Sequence, residues 1–310
     1  MGHGSYQSKD WNNLRSARNI NQNSTVNDIY RSRQMRPNLD PNGVKYRESC
    51  DSMDNPASTA IIFGLDVTGS MGYLSEEIAK GALNRTMLEI YEKEPVTNPH
   101  IMFQAIGDSK TDDAPLQVTQ FEADIRIAEQ LLDVWFEGRG GGNGGESYLL
   151  SWYFADKHTK IDCYDKRGEK GFLFTIGDER CHKILTKAEI KRVFGDLAFR
   201  DYSAEALYEK ASRRYEIFHI VMKAGAYKAQ NSGEAADRIP GRRAGSERSG
   251  CASGGLCQPD AGGQRHGDKG NYRAVERKGR GRGCGDYKRN QKRRGRGLPD
   301  ILTWVITGKR

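Results

Sequence analysis

Three short apolar runs, each followed by an aspartate, constrain the fold of this chain more than any other feature. The runs "TAIIFGL", "HIMFQAI" and "GFLFTIG" are rich in β-branched and aromatic residues, and they lead into Asp66, Asp108 and Asp178. A continuous apolar run of this length, bounded by turn residues, is typical of a strand buried on both faces of a sheet. The chain therefore contains at least three core strands.

Segments with helical spacing separate the apolar runs. In "EEIAKGALNRTMLEIY" (76–91), Ile78, Leu83, Met87 and Ile90 recur at helical intervals. Further helices are predicted over 123–136, 147–158, 186–195 and 203–215, with Thr186 and Ser203 as N-caps of the last two. "PLQVTQF" predicts an edge strand, and "EIFHIVMK" predicts a closing strand. This alternation indicates an α/β fold with a doubly wound, mostly parallel central sheet and helices on both faces.

Composition divides the chain into three parts: a polar N-terminal arm (1–56), an α/β domain (57–223) and a Gly/Arg-rich basic tail (224–310). From residue 241 to the end there are 18 Lys and Arg against 6 Asp and Glu, whereas the first 240 residues carry 31 and 35. The tail is too poor in apolar residues to offset its ordering entropy, so it is predicted to be disordered. A second interpretation is translation from a shifted reading frame, which the coding DNA would test.

The sequence gives no sign of a membrane segment. It has no run of about 18 apolar residues, and its N-terminus lacks the apolar core of a secretory signal. The six cysteines are scattered without a repeating spacing. These features predict a cytoplasmic protein without a membrane partner.

Asp66, Thr68 and Ser70 form the pattern D-x-T-x-S directly after the first apolar run. Ligands of parallel α/β sheets bind beyond the carboxyl ends of the strands, where Asp66, Asp108 and Asp178 would share one edge. Carboxylate and hydroxyl oxygens are the ligands preferred by Mg²⁺ or Mn²⁺. A structural alternative is that Thr68 and Ser70 cap the next helix while Asp66 satisfies the turn backbone.

The stretch "GLDVTGSMG" resembles the metal-ion-dependent adhesion site (MIDAS) of von Willebrand factor type A domains. The family's third loop supplies an aspartate after a strand, which matches Asp178 in "FLFTIGDE". The chain is also similar to bacterial and phage stand-alone type A domain proteins, which share stretches like "NGGESY" and "FTIGDE". The resemblance implies that Thr68 and Ser70 touch the cation directly, whereas Asp66 and Asp178 act mostly through water.

The second loop of the site departs from the family pattern. The family places a threonine after glycines and before a helix, but "GGGNGGESYLLSWYFA" has Glu146 at that position and Ser147 next to it. Either residue is a candidate ligand. A glutamate there would fill a coordination position that the family leaves to a carboxylate of the bound partner.

The resemblance implies a divalent-metal-dependent protein-binding module, with an AAA-type ATPase as one candidate partner. A Mg²⁺-dependent hydrolase is an alternative, although no catalytic constellation is evident. RNA binding through the tail is another alternative. Its candidate phosphate contacts are arginines: Arg280, Arg282, Arg289, Arg293, Arg294 and Arg296. Asp108, Asp112 and Asp113 are interpreted as solvated turn residues rather than additional ligands.

Overall fold

A computed structural model describes residues 4–138 and 145–222, together with the backbone of a short strand at 273–274. The strands are β1 (Arg47–Ser49), β2 (Thr59–Asp66), β3 (Pro99–Ile106), β4 (Leu116–Val118), β5 (Thr159–Ile161), β6 (Gly171–Gly177), β7 (Ile184–Leu185), β8 (Tyr202–Ser203), β9 (Tyr215–Val221) and β10 (Arg273–Ala274). The helices are α1 (Ser8–Ala17), α2 (Val26–Ile29), α3 (Gly72–Glu77), α4 (Leu83–Lys93), α5 (Arg126–Leu131), α6 (Tyr148–Lys157), α7 (Asp162–Asp165), α8 (Lys187–Phe194) and α9 (Ala204–Ala211).

The chain is an α/β protein with a mixed central sheet flanked by helices. The sheet has six described strands in the order β10–β9–β6–β2–β3–β4. The four inner strands run parallel, whereas β4 and β10 pair antiparallel at the two edges. The predicted core strands and the predicted edge strand are therefore confirmed. Every residue of β2 and β3 is buried, which explains their continuous apolar runs.

The two faces of the sheet pack against different sets of helices. Ile61, Phe63 and Leu65 of β2 belong to one apolar cluster, which includes residues of α3, α4 and α5. Ala60 and Ile62 belong to a second cluster with residues of α6, α8 and α9. The alternation follows from the strand geometry, because successive side chains point to opposite faces. Both faces of the sheet are thus covered.

The apolar side chains of residues 4–39 pack against the first of these faces, whereas Val44 packs against the second. Trp11 of α1 is 1% exposed and lies in the same apolar cluster as Met87 and Ile90 of α4. The Tyr30 hydroxyl donates a hydrogen bond to the Ser75 carbonyl at 3.1 Å. β1 pairs in parallel with β5, outside the central sheet. The polar composition of this segment therefore coexists with a set of anchoring apolar side chains.

The helix predicted over 76–91 is interrupted in the structure. α3 ends at Glu77, a five-residue π-helical segment covers Ile78–Ala82, and α4 follows. Gly81 departs from helical angles, with φ 168° and ψ −17°. The side chains at helical spacing are nevertheless all buried, including Ile78 within the π-helical segment.

The helix predicted over 123–136 is shorter than expected and covers only Arg126–Leu131. Asp124 Oδ1 accepts a hydrogen bond from the Arg126 amide at 3.0 Å, which begins the helix late. Past its end, the Gln117 side chain bonds both the amide and the carbonyl of Trp135, at 2.9 and 2.7 Å. These bonds hold the backbone beside β4 instead of in a helix.

In the described part of the chain, no helix has the length and apolar character needed to cross a membrane. The tail predicted over 224–310 lies outside the described residues, apart from β10. The six candidate arginines of the tail lie there as well: Arg280, Arg282, Arg289, Arg293, Arg294 and Arg296. The prediction of nucleic-acid contacts consequently stays a prediction.

Candidate functional site

Three aspartates lie at the carboxyl ends of adjacent parallel strands, as predicted. Asp66 is the last residue of β2, Asp108 lies two residues beyond β3, and Asp178 directly follows β6. All three side chains are fully buried. The interpretation of Asp108 and Asp112 as solvated turn residues is wrong, since Asp112 is also buried. Only Asp113 is exposed.

The Asp66 carboxylate organises the turn that follows β2. Its Oδ1 accepts hydrogen bonds from the Thr68 amide at 2.9 Å and from the Thr68 hydroxyl at 2.6 Å. The Thr68 side chain makes no capping hydrogen bond to the 3₁₀ turn Gly69–Met71 that begins after it. The structural alternative is therefore observed for Asp66 but not for Thr68. The backbone of Ser70 belongs to this turn, and its side chain lies outside the described part of the structure.

Asp178 lies close enough to Asp66 for the two charges to interact. Burial raises the pKa of Asp66, the hydrogen bonds from Thr68 oppose this rise, and the charge of Asp178 adds to it. A Cβ atom at Gly177 would lie 2.9 Å from Asp66 Oδ2, which places the end of β6 beside the carboxylate. The fold thus brings together the first and third loops of the predicted site.

Tyr148 is a site residue that the sequence does not reveal. It is the first residue of α6, and its hydroxyl donates to Asp66 Oδ2 at 3.3 Å. Its ring contacts His219 edge-on, with the ring centroids 4.9 Å apart. In the sequence Tyr148 is indistinguishable from the other apolar residues of a buried helix. Its position directly after the two candidate second-loop residues was the one available signal.

The two candidate ligands of the second loop have different surroundings. The Ser147 hydroxyl accepts a hydrogen bond from the Ser109 amide at 2.8 Å and also contacts Asp108 Oδ1 at 3.4 Å. Glu146 is 1% exposed, and neither of its carboxylate oxygens has a hydrogen-bond partner within the described residues. Ser147 therefore joins the loop after β3, whereas Glu146 keeps both acceptors unused.

Negative charge surrounds the Glu146 side chain. Burial raises the pKa of this carboxyl far above its ordinary value, and the charges of Asp66, Asp108, Asp112 and Glu179 raise it further. Among these acids, Asp108 is paired with His182, whose Nε2 lies 2.9 Å from Asp108 Oδ1. Bringing a cation into such a cluster would relieve both repulsion and desolvation.

The residues that gather here suit a hard divalent cation in their chemistry. Asp66, Thr68, Asp178 and Glu146 offer only oxygen atoms, and Glu146 has two buried acceptors without a partner. Within the described residues, however, no group of three or more His, Cys, Asp or Glu side chains is arranged to hold a metal ion. The expectation of Mg²⁺ or Mn²⁺ remains a prediction.

Comparison with known proteins adds little to this geometry. No protein-family model matches the chain, and a search of curated proteins finds no similar sequence. Among solved structures, the chain is similar to the pilus adhesin SpaC from Lactobacillus rhamnosus GG in its open conformation, with 10% identity and a TM-score of 0.31. The match covers 44% of this chain and 16% of the adhesin chain. At this TM-score, the similarity supports neither a fold assignment nor a function.

Proposed function

We propose that residues 57–223 form a divalent-metal-dependent protein-binding module. Its proposed architecture is the doubly wound arrangement of the von Willebrand factor type A domains that the sequence resembles. The convergence of Asp66 and Asp178 supports this most directly. Both carboxylates are fully buried at the ends of neighbouring parallel strands, and the charge of Asp178 helps to raise the pKa of Asp66. Buried carboxylates placed together are stabilised by a cation.

The oxygen atoms at this edge would coordinate a cation in two ways, directly and through water. By the resemblance, the hydroxyls of Thr68 and Ser70 would touch it, while Asp66 and Asp178 would act through water. The hydrogen bonds from Thr68 to Asp66 orient both side chains of the first loop. A cation held there would act as a Lewis acid that coordinates a carboxylate of a protein partner.

The partner is proposed by analogy. Type A domains that resemble this chain often act beside AAA-type ATPases, which makes such an ATPase the first candidate. The module would then serve protein–protein interaction or assembly in the cytoplasm. This part of the proposal rests on the resemblance alone. A shared fold does not by itself determine which partner a domain binds.

Isothermal titration of Mg²⁺ and Mn²⁺ into the full chain tests the metal site. We expect wild type to bind one ion and Asp66→Asn to bind it at least tenfold more weakly, or about 1.4 kcal/mol. Asp113→Asn is the matched control, because it removes an exposed carboxylate from the loop after β3. Equal binding by wild type and Asp66→Asn would remove the basis of the proposal.

A further inference from the structure

We propose that Glu146 is a built-in ligand of this site, which binds the cation directly through its carboxylate and occupies the position open to a partner's acidic group. The inference rests on the proposed metal-dependent function. It assigns the site a regulation of its own: a partner would have to displace Glu146 before its own carboxylate could reach the cation.

The first support is the isolation of the Glu146 carboxylate. The side chain is 1% exposed, and within the described residues neither oxygen receives a hydrogen bond. An ionised carboxylate left in this state is unfavourable, because burial removes its hydration and nothing replaces it. Direct coordination of a divalent cation would satisfy the oxygens and offset that cost.

The second support is the backbone, which fixes Glu146 beside the third loop of the site. The Glu146 amide donates to the Arg180 carbonyl at 2.6 Å, and the His182 amide donates to the Glu146 carbonyl at 3.0 Å. This parallel bridge attaches the second loop to the residues that follow Asp178. Glu146 thus reaches the carboxylate cluster from a fixed backbone position.

The third support is the contrast with Ser147. Its hydroxyl bonds to the Ser109 amide and hydroxyl, at 2.8 and 3.0 Å, and lies 3.4 Å from Asp108. Ser147 therefore braces the loop after β3, whereas Glu146 is the second-loop side chain with unused oxygens. Of the two candidates from the sequence, the structure favours Glu146.

Chemical rescue provides the test. We measure Mn²⁺ affinity by titration, and the number of exchangeable waters on Mn²⁺ by water-proton relaxation, for the full-length wild type and Glu146→Ala. We expect Glu146→Ala to bind Mn²⁺ at least tenfold more weakly and with more exchangeable water. Added acetate should restore affinity to Glu146→Ala, because acetate can take the vacated coordination position, and should leave wild type unchanged.

Two further variants make the result specific. Glu146→Gln keeps the size of the side chain and removes a buried charge, so it covers the case in which Glu146→Ala fails to fold. Glu179→Ala removes another charge from the same cluster and controls for a general electrostatic effect. We expect Glu179→Ala to weaken Mn²⁺ binding less, without a change in exchangeable water or a response to acetate.

The outcomes separate the inference from the proposed function. If Asp66→Asn binds Mn²⁺ as wild type does, the proposed function fails and the inference fails with it. If Asp66→Asn is impaired while both Glu146 variants keep wild-type affinity and hydration, only the inference is overturned. The inference also fails if Glu146→Ala loses affinity but shows neither additional water nor rescue by acetate.

Discussion

At the scale of single residues, Gly177 controls how closely the loops of the site approach one another. A Cβ atom there would collide with the Tyr148 hydroxyl and would lie 2.9 Å from Asp66 Oδ2. The hydrogen bond between Tyr148 and Asp66 therefore crosses a space that only glycine leaves open at this position. The absence of a side chain at Gly177 therefore allows Tyr148 and Asp66 to approach each other.

Gly177→Ala should lower the free energy of unfolding by about 1–3 kcal/mol, because the added methyl overpacks a filled region. It should also weaken Mn²⁺ binding, since Tyr148 and Asp66 must separate. Gly72→Ala is the control: its Cβ would lie 3.6 Å from Phe136, an ordinary contact, and its backbone is helical. Urea unfolding in EDTA measures the stability. Equal losses in the two variants would contradict this role of Gly177.

At the scale of elements, helix α8 supports the loop that carries Asp108. Thr186 and Glu189 form a capping box, in which each side chain bonds the backbone amide of the other residue. The other oxygen of Glu189 accepts from the Ser109 hydroxyl at 2.8 Å and from Lys110 Nζ at 2.5 Å. Burial raises the pKa of Glu189, but the bonds from Lys110, Thr186 and Ser109 outweigh it and leave a lowered value.

Thr186→Ala should destabilise the protein by about 1 kcal/mol, because the Glu189 amide loses its capping oxygen. Thr186→Ser keeps that oxygen and should cost only a few tenths of a kcal/mol. The pKa of Glu189 is lower in the folded protein than in the unfolded chain. The ionised Glu189 carboxylate therefore contributes to stability above its unfolded pKa, and this contribution declines as the pH falls through the folded pKa. Urea unfolding at neutral and acidic pH measures both effects. A stability loss for Thr186→Ser as large as that for Thr186→Ala would argue against capping.

At the scale of the whole molecule, the N-terminal segment behaves as part of the apolar core. Trp11 is nearly completely buried, and the Tyr6 hydroxyl reaches Asn84 of α4 at 3.3 Å. Arg18 and Arg36 both pair with Asp133, at 2.9 and 2.8 Å, which attaches the segment to the chain after α5. Surface pairs of this kind contribute little, so the buried indole is the main anchor.

Trp11→Ala should lower the free energy of unfolding by about 3–5 kcal/mol, because it leaves a large cavity between α1 and α4. Met53→Ala, at a fully exposed position of the same segment, should change it by less than about 0.5 kcal/mol. Circular dichroism during urea unfolding measures both. A loss below about 1 kcal/mol for Trp11→Ala would mean that the segment packs without stabilising the domain.

The sequence alone was sufficient to predict the four parallel core strands, the edge strand β4 and the edge at which the aspartates meet. Thr186 and Ser203 are both observed as side-chain N-caps, and Asp66, Asp108 and Asp178 all follow parallel strands. These features depend on local patterns, because burial on both faces and helix capping leave their signature within a few neighbouring residues. The limits of α5 and the interruption before α4 were missed, since contacts with distant segments override local preference.

The tertiary structure decided which of these residues face one another. Tyr148 reaches Asp66 because the start of α6 lies against Gly177 at the end of β6, and a bridge to Cys181 holds Glu146 in the carboxylate cluster. In the sequence, Glu146 and Ser147 are equivalent alternatives. The fold separates them, because it surrounds Ser147 with hydrogen-bond partners and leaves the oxygens of Glu146 without one among the described residues. Residue type and spacing therefore determined the chemistry available at this edge, and three-dimensional packing determined which oxygens remain unused.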